Sequence, residues 1–132
     1  MVSTRFDVVV IGGGPAGVTA ALRARELGTS VALVEAGRLG GTCTNDGCVP
    51  TRLIAKAARL LRDSRQFSEY GLEGDLPKLN FARLMSSVQN TVYHMHEKKQ
   101  LIYHLRTSGV EILAESGPAS FIDPHTITLG DG

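Results

Sequence analysis

Residues 6–35 read FDVVVIGGGPAGVTAALRARELGTSVALVE, and this stretch decides the fold. Residues 6–11 are nearly all apolar and rich in β-branched side chains, which is typical of a strand buried on both faces. A glycine-rich turn follows, and residues 18–27 have the pattern of a helix that ends at a glycine. Residues 30–34 form a second apolar strand that leads into Glu35. This order predicts a βαβ unit with a parallel sheet, and therefore an α/β fold.

The turn after the first strand has the spacing Gly12-x-Gly14-x-x-Gly17, in the context that a dinucleotide fold requires. The first glycine permits the tight turn, the second lets a pyrophosphate approach the backbone, and the third allows close helix–strand packing. The helix N-terminus offers unpaired N–H groups to phosphates, and the acid that ends the next strand is placed to accept hydrogen bonds from ribose hydroxyls. The predicted dinucleotide-binding residues are Gly12, Gly14, Pro15, Ala16, Gly17 and Glu35. The pattern does not distinguish FAD from NAD, and a structural turn without a ligand is the alternative.

Composition and charge exclude several classes of function. The 132 residues suit one modest domain, with 42% hydrophobic and 20% charged residues. A net charge of +1 without a basic block argues against nucleic acid and anionic membranes as partners. The sequence contains neither an apolar run of about 20 residues nor the order of a signal peptide, so we expect a cytoplasmic protein.

The middle of the chain is expected to be mostly helical. Residues 36–45 are predicted to form a glycine-rich loop, residues 50–66 a helix, and residues 81–106 one long helix. The long helix carries an apolar stripe that should pack on the rest of the fold. The stripe consists of Phe81, Met85, Val88, Val92, Met95 and Ile102.

The last quarter of the chain has the pattern of short strands separated by Gly-Pro and Asp-Pro. The strand-like runs are residues 110–113, 119–122 and 126–129. Residues 130–132 resemble a hairpin turn that lacks its second strand. We therefore expect a small antiparallel β segment here, in a chain that is a fragment of a longer protein.

Cys43 and Cys48 are the two cysteines of the sequence. On an ideal helix their Cα atoms would lie about 8.6 Å apart, whereas a disulfide requires less than about 7 Å. A bridged pair therefore needs an irregular turn between them, and Asn45, Asp46 and Gly47 are residue types that tolerate one.

Four interpretations of the cysteines compete. We favour a redox pair, because the partial positive charge at the start of the following helix should favour the thiolate at both sulfurs. A structural zinc half-site lacks a second pair of ligands at suitable spacing. A purely structural bridge is disfavoured in the cytosol, and two unrelated thiols are disfavoured by the surrounding glycines.

The segment GGTCTNDGCVP at residues 40–50 resembles the active-site signature of the class I pyridine nucleotide–disulfide oxidoreductases, the family of dihydrolipoamide dehydrogenase, mercuric reductase and glutathione reductase. GGGPAG at residues 12–17, VEAG at residues 34–37 and GPASF at residues 117–121 are similar to the same family. The resemblance covers essentially the whole chain. It implies a Rossmann-like FAD/NAD(P)-binding fold, with residues 1–132 as the N-terminal part of an FAD-binding domain. The NAD(P) domain and the interface domain of a homodimer would then lie elsewhere in the full-length enzyme.

The resemblance also implies how FAD would lie on the chain. Its pyrophosphate would rest on the glycine loop beside Gly41 and Thr42, its adenosine ribose on Glu35, and its adenine against the backbone of Ala119. NAD(P)H would be the co-substrate of the full-length enzyme, and no metal site is expected.

The roles of the cysteines follow from the same resemblance. Cys43 corresponds to the thiol that exchanges with the substrate sulfur, and Cys48 to the thiol that lies against the flavin ring. Electrons would pass between NAD(P)H, FAD, this disulfide and an external thiol, disulfide or metal ion. Arg52 stands where the family commonly has lysine, and its charge is expected to stabilise the reduced flavin and the thiolate.

The histidines are not expected to act as catalytic bases, because in the family that residue comes from the partner subunit's C-terminal domain. These four residues, His94, His96, His104 and His125, are given surface or packing roles. Two alternative functions remain at this point. One is an FAD oxidase or transhydrogenase with incidental cysteines, and the other is a non-catalytic flavin-binding or interaction module.

Overall fold

The computed structural model describes residues 4–99 and 101–130. The elements are β1 (Val8–Ile11), α1 (Pro15–Glu26), β2 (Val31–Glu35), α2 (Gly41–Asn45), α3 (Cys48–Asp63), a 3₁₀ helix (Ser64–Tyr70), α4 (Phe81–Lys99), α5 (Leu101–Thr107), β3 (Val110–Ala114), β4 (Ala119–Asp123) and β5 (Thr126–Leu129). Among the described residues, no helix is both long and apolar enough to cross a membrane.

Three parallel strands in the order β1-β2-β3 form the main sheet, with Val10 opposite Leu33 and Leu33 opposite Ile112. The predicted α/β fold with a parallel sheet is confirmed. β4 and β5 pair antiparallel as a separate two-stranded sheet, which confirms the small antiparallel segment. β3, however, belongs to the parallel sheet, although its sequence resembles that of the two strands after it.

The core lies where α1 and α5 meet the sheet. Ala21 of α1, Leu33 of β2, Leu105 of α5 and Val110 of β3 are buried together in one cluster. All four apolar residues of β2 are at most 1% exposed, as expected for the central strand of a covered sheet. This packing fixes the carboxyl end of β2, where Glu35 lies.

β1 does not match the expectation of burial on both faces. Val8 and Val10 pack against the core, but Val9 is 40% and Ile11 48% exposed. The reason is that β1 is an edge strand with α1 on one of its faces, and no other described element covers the opposite face.

Two predictions for the middle of the chain need correction. The segment 36–45 is not all loop, because it contains α2, and the predicted helix 50–66 begins earlier, at Cys48, and changes to a 3₁₀ helix at Ser64. The predicted helix 81–106 is described as α4 and α5, on either side of residue 100, which lies outside the described residues. Its two parts have different partners: α4 packs on α3, whereas α5 packs on β3. The apolar stripe is accordingly buried at Val88 and Val92 but exposed at its ends.

A glycine follows the end of α1. Gly28 has a φ of +86° and donates its N–H to the Arg25 carbonyl at 2.9 Å, which confirms the predicted end of α1. At the other end of the chain, β5 finishes at Leu129. The predicted hairpin turn at residues 130–132 lies mostly outside the described residues.

Candidate active site

The glycine loop turns tightly between β1 and α1. Gly12 has a φ of +103° and donates its N–H to the Val34 carbonyl at 2.8 Å, which ties the loop to β2. Gly17 has no room for a side chain, because a Cβ there would overlap the Gly12 carbonyl oxygen. Two of the three spacing glycines thus have the roles that the sequence predicts for them, the tight turn and the close helix–strand approach.

A second glycine pair closes against this loop. The N–H of Gly40 donates to the Gly13 carbonyl at 2.9 Å. A Cβ on Gly41 would lie 2.7 Å from the Gly14 Cα, so the two backbones touch. We call residues 12–17 and 40–41 the glycine cradle. Helices α1 and α2 both begin at this cradle.

The cradle leaves backbone donors and open space on one side. The first helical bond of α1 runs from the Val18 N–H to the Gly14 carbonyl, so the N–H groups of Ala16 and Gly17 have no acceptor within the helix. A Cβ on Gly12 would meet no atom within 4 Å, and one on Gly14 would meet only Gly41, at 3.7 Å. A helix N-terminus with free donors and room beside it is the arrangement that accepts a phosphate group.

Glu35 holds the cradle in a way that the sequence does not reveal. Its Oε2 accepts the Gly13 N–H at 2.7 Å, and its Oε1 accepts the Gly37 N–H at 2.9 Å. Each carboxylate oxygen keeps a second lone pair for a ligand hydroxyl. The half-buried side chain therefore orders the loop whether or not a ribose is bound.

The start of the small antiparallel sheet is brought to the same end of β2. Ala114 at the end of β3 is opposite Glu35, and the Ser116 N–H donates to the Glu35 carbonyl at 3.4 Å. Ala119, the first residue of β4, is half-buried. The structure thus places the segment that precedes Ala119 beside the predicted ribose site.

α2 links the cradle to the first cysteine. Its five residues are GTCTN, a composition with poor intrinsic helix propensity, which explains why the sequence predicts a loop. Tertiary contacts hold it instead: Thr44 is buried, and the Asn45 Nδ2 donates to the carbonyls of Arg38 and Leu39 at 3.3 Å each. Cys43 is therefore the third residue of a helix whose first residue touches the cradle.

An irregular turn then reverses the chain, as the spacing of the cysteines predicts. The N–H groups of Asp46 and Gly47 both donate to the Thr42 carbonyl, at 2.9 and 2.6 Å. α3 begins at once with Cys48. We call residues 42–48 the thiol turn. Both cysteines carry free thiols, with Cys43 half-buried and Cys48 exposed.

The two thiols interact directly. The pKa of Cys43 is raised, chiefly by the hydrogen bond between its side chain and that of Cys48, and further by burial and by the charge of Cys48. The Cys48 backbone N–H, which bonds to the Cys43 sulfur, and the Arg52 charge act in the opposite direction but do not prevail. The expected shift toward thiolate is thus wrong for Cys43, because two adjacent thiols do not both ionise easily.

Arg52 lies on α3 one turn after Cys48, on the same side of the helix, and its side chain is exposed. Its positive charge is near enough to act on Cys43, because it lowers the pKa of that thiol slightly against the larger raising causes. Thr42, also exposed, joins the cradle to the thiol turn. The structure therefore brings Gly41, Thr42, Arg52 and both cysteines into one region, where Thr42, Cys48 and Arg52 are exposed.

Comparison with known proteins identifies the family. The profile described as pyridine nucleotide-disulphide oxidoreductase matches residues 6–131. The chain belongs to this family. Membership agrees with the observed α/β architecture and implies that the sheet is the start of a Rossmann-like dinucleotide-binding fold.

Three curated proteins that this chain resembles are named as dihydrolipoyl dehydrogenases. Dihydrolipoyl dehydrogenase of Trypanosoma brucei brucei is 37% identical over 94% of this chain and 26% of its own length. Dihydrolipoyl dehydrogenase of Bacillus subtilis is 34% identical over 94% of this chain and 23% of its own length. Dihydrolipoyl dehydrogenase 2 of Haloarcula marismortui is 34% identical over 99% of this chain and 27% of its own length. The chain therefore spans about a quarter of the length of these curated relatives.

The sequence predicts no metal site and no histidine that acts as a catalytic base. Within residues 4–99 and 101–130, no three His, Cys, Asp or Glu side chains form a metal-binding group. His94 makes an edge contact with Tyr93, with ring centroids 5.7 Å apart, and His104 and His125 are exposed. The side chain of His96 lies outside the described residues.

A large open groove lies beside the thiol turn, with Asn45 and Asp46 among its lining residues. It has a volume of about 1550 Å³ and runs between α3, α4 and α5 toward the end of β3. Ile54, Met85, Val92 and Arg106 are among its lining residues, whereas neither cysteine lines it. Within the described residues, the two thiols therefore lie outside this groove, although the turn between them borders it.

Proposed function

We propose that this chain is the part of an FAD-dependent pyridine nucleotide-disulfide oxidoreductase that binds the flavin nucleotide and carries the redox-active pair Cys43–Cys48. The observation that supports this most is the short helix α2. Its first residue, Gly41, contacts the cradle at Gly14, and Cys43 follows two residues later. At about 1.5 Å of rise per residue, the Cα of Cys43 is roughly 3 Å along the helix axis from the Cα of Gly41, the last residue of the cradle.

The relatives favour a dithiol substrate. They are named dihydrolipoyl dehydrogenases, so a dihydrolipoyl group is the substrate that we propose, in preference to a mercuric ion or glutathione disulfide. NAD(P)H is the proposed nicotinamide partner. We further propose that the whole enzyme is a cytoplasmic homodimer whose other domains bind the nicotinamide and form the subunit interface.

The described residues fit the nucleotide of FAD. We assign the pyrophosphate to the open side of the cradle, against the donors of Ala16 and Gly17. The ribose would occupy the free lone pairs of Glu35, since each of its oxygens already accepts one backbone N–H. The adenine is assigned to the backbone near Ala119, in the segment that hydrogen bonding holds beside Glu35.

When bound, FAD would relay two electrons at a time between the nicotinamide and the sulfur pair. The chain's own residues would handle the thiol chemistry. In the direction of dithiol oxidation, the pair starts as a disulfide. The substrate thiolate attacks the Cys43 sulfur, forms a mixed disulfide with it and displaces Cys48 as thiolate. The second substrate thiol then displaces Cys43, which leaves a substrate disulfide and a reduced pair that holds two electrons.

Arg52 and the N-terminus of α3 would support the displaced Cys48 thiolate. Cys48 is the first residue of α3, where the helix presents partial positive charge, and the guanidinium of Arg52 lies one turn further along the same side. The exposure of Cys48 leaves its sulfur open to a planar group placed over it. We therefore assign Cys48 to the flavin side and Cys43 to exchange with the substrate.

Serine substitutions in the full-length enzyme test the proposal. Cys43→Ser and Cys48→Ser should each lower turnover of a dihydrolipoyl substrate by more than about a thousandfold, because neither variant can form the disulfide. Reduction of an artificial dye by NADH should persist, because a dye takes electrons from the flavin without the thiols. Retained dithiol turnover in either variant would contradict the proposal, and so would dye reduction that depends on the cysteines.

A further inference from the structure

Gly47 occupies the tightest point of the thiol turn. Its N–H donates to the Thr42 carbonyl at 2.6 Å, and its own carbonyl accepts the Thr51 N–H at 3.0 Å, the first bond of α3. The backbone of Gly47 is therefore hydrogen-bonded to α2 through its N–H and to α3 through its carbonyl. Gly47 is also the residue immediately before Cys48.

There is little space for a side chain at this position. A Cβ on Gly47 would lie 3.0 Å from the Thr42 carbonyl oxygen, 3.4 Å from the Thr42 carbonyl carbon and 3.5 Å from the Cys43 Cα. The first distance is shorter than ordinary van der Waals contact, and all three atoms are backbone. An added methyl group therefore has to push the Thr42–Cys43 backbone away by a few tenths of an ångström, since no flexible side chain can move aside in its place.

We propose that Gly47 is a positioning residue for the Cys43–Cys48 pair. Because it has no side chain, α3 starts directly against the Thr42 carbonyl, and this contact sets the separation between the two sulfur atoms. The inference rests on the proposed redox role of the pair and adds the residue that fixes its geometry. The bond from the Cys48 N–H to the Cys43 sulfur is consistent with it, because the Gly47–Cys48 peptide carries that N–H.

The expected consequence concerns the disulfide more than the dithiol. A disulfide has strict limits on sulfur and Cβ separation, whereas two free thiols tolerate a small displacement. Crowding at Gly47 should therefore destabilise the oxidised pair selectively and make it easier to reduce. The effect is on the redox equilibrium, which a general loss of folding stability would not reproduce.

Equilibration of the full-length protein with glutathione measures this directly. In the reaction, two protein thiols and glutathione disulfide give the protein disulfide and two glutathione thiols, so two electrons and two protons pass to glutathione. Trypsin cleaves after Arg38 and Arg52, so one peptide, residues 39–52, reports both cysteines after alkylation of the free thiols. For Gly47→Ala we expect the equilibrium constant for closing the disulfide to fall about tenfold, equivalent to ~30 mV.

Asp46→Ala is the matched control. Asp46 is the neighbouring residue of the turn, its side chain is exposed, and its N–H bond to Thr42 does not depend on the side chain. Its equilibrium constant should stay within about twofold of wild type. An unchanged constant for Gly47→Ala, or an equal fall in both variants, would overturn the role of Gly47 and leave the proposed function standing. Failure of the wild-type pair to close with glutathione disulfide would instead overturn the proposed function.

A second measurement covers the case in which Gly47→Ala does not fold. In the wild-type protein, the Gly47 amide should be protected from hydrogen exchange, because it donates at 2.6 Å to Thr42. Protection comparable with that of the Thr51 amide supports the proposal. Exchange of the Gly47 amide at the rate of an open peptide would show that the contact with α2 is absent, and would overturn it.

Discussion

In the glycine cradle, neighbouring atoms crowd three glycines, whereas in the thiol turn one carbonyl oxygen organises the contacts. Added Cβ atoms at Gly13, Gly17 and Gly41 would meet Leu39, the Gly12 carbonyl and the Gly14 Cα. The thiol turn instead converges on Thr42, whose carbonyl accepts two N–H groups. The cradle is a closely packed backbone surface, whereas the geometry of the thiol turn is what we propose to decide its redox chemistry. Substitutions should therefore damage folding or binding in the first region and redox equilibrium in the second.

The largest effect is expected from Gly17→Ala in the cradle. The new Cβ would overlap the Gly12 carbonyl oxygen, so the backbone must move. We expect a loss of about 3 kcal/mol in the free energy of unfolding, measured with urea. Gly37→Ala is the control, since its Cβ would meet only Glu35 Oε1 at 3.8 Å. A loss below about 1 kcal/mol for Gly17→Ala would contradict the close packing of the cradle.

Gly14→Ala should separate binding from folding. Gly14 has an extended backbone that alanine adopts readily, and the added Cβ meets only Gly41 at 3.7 Å. Stability should therefore change by less than about 0.5 kcal/mol. The methyl group would enter the space assigned to the pyrophosphate, so the Kd for FAD should rise at least about tenfold, or ~1.4 kcal/mol. An unchanged Kd for FAD in a titration would contradict the assignment of the pyrophosphate to the space beside Gly14.

Glu35→Gln tests whether the cradle depends on its single clamping side chain. Glutamine offers one acceptor oxygen where Glu35 uses two, so one of the Gly13 and Gly37 N–H groups would face an NH₂ group. We expect a loss of about 1 to 2 kcal/mol in urea unfolding without FAD. Glu26→Gln, which removes an exposed ion pair with Arg23, should lower the free energy of unfolding by only about 0.3 kcal/mol. Equal losses in both variants would contradict the clamp.

The smallest effect concerns the ionisation of Cys43 in the thiol turn. The largest cause of its raised pKa is the hydrogen bond with the Cys48 side chain, and Cys48→Ala removes that bond. The pKa of Cys43 should therefore fall, and the pH at which its alkylation rate is half-maximal should move lower. Cys48→Ser keeps a hydrogen-bonding group and should give a smaller shift. Mass spectrometry can measure the alkylation rate of Cys43 at each pH. An unchanged or higher pH midpoint in Cys48→Ala would contradict the coupling of the two thiols.

The cradle was largely predictable from sequence, because its signals are local. The spacing of Gly12, Gly14 and Gly17 between an apolar strand and a helix correctly places β1, α1 and β2, and it places Glu35 beside the loop. The two backbone bonds that Glu35 accepts were missed, since they join residues that are distant in sequence. The exposure of Val9 and Ile11 was also missed, because strand composition does not reveal which strand is at the edge.

The thiol turn was predictable only in part. The spacing of Cys43 and Cys48 requires an irregular turn, and one is present. The sequence predicts a loop for α2, because its residues are poor helix formers, and the contacts that hold the helix come from Arg38, Leu39 and the cradle. The role of Gly47 likewise depends on a contact that no composition or periodicity encodes.

The central claim is that Cys43 and Cys48 form a disulfide that a reduced nicotinamide reduces through FAD. The most direct test incubates the oxidised full-length, FAD-loaded protein anaerobically with NADH or NADPH, alkylates the free thiols and analyses the peptide of residues 39–52. We predict no alkyl groups on this peptide before the nucleotide is added and two afterwards, one on each cysteine. A peptide that carries two alkyl groups from the start, or none after the flavin has lost its colour, would contradict the account.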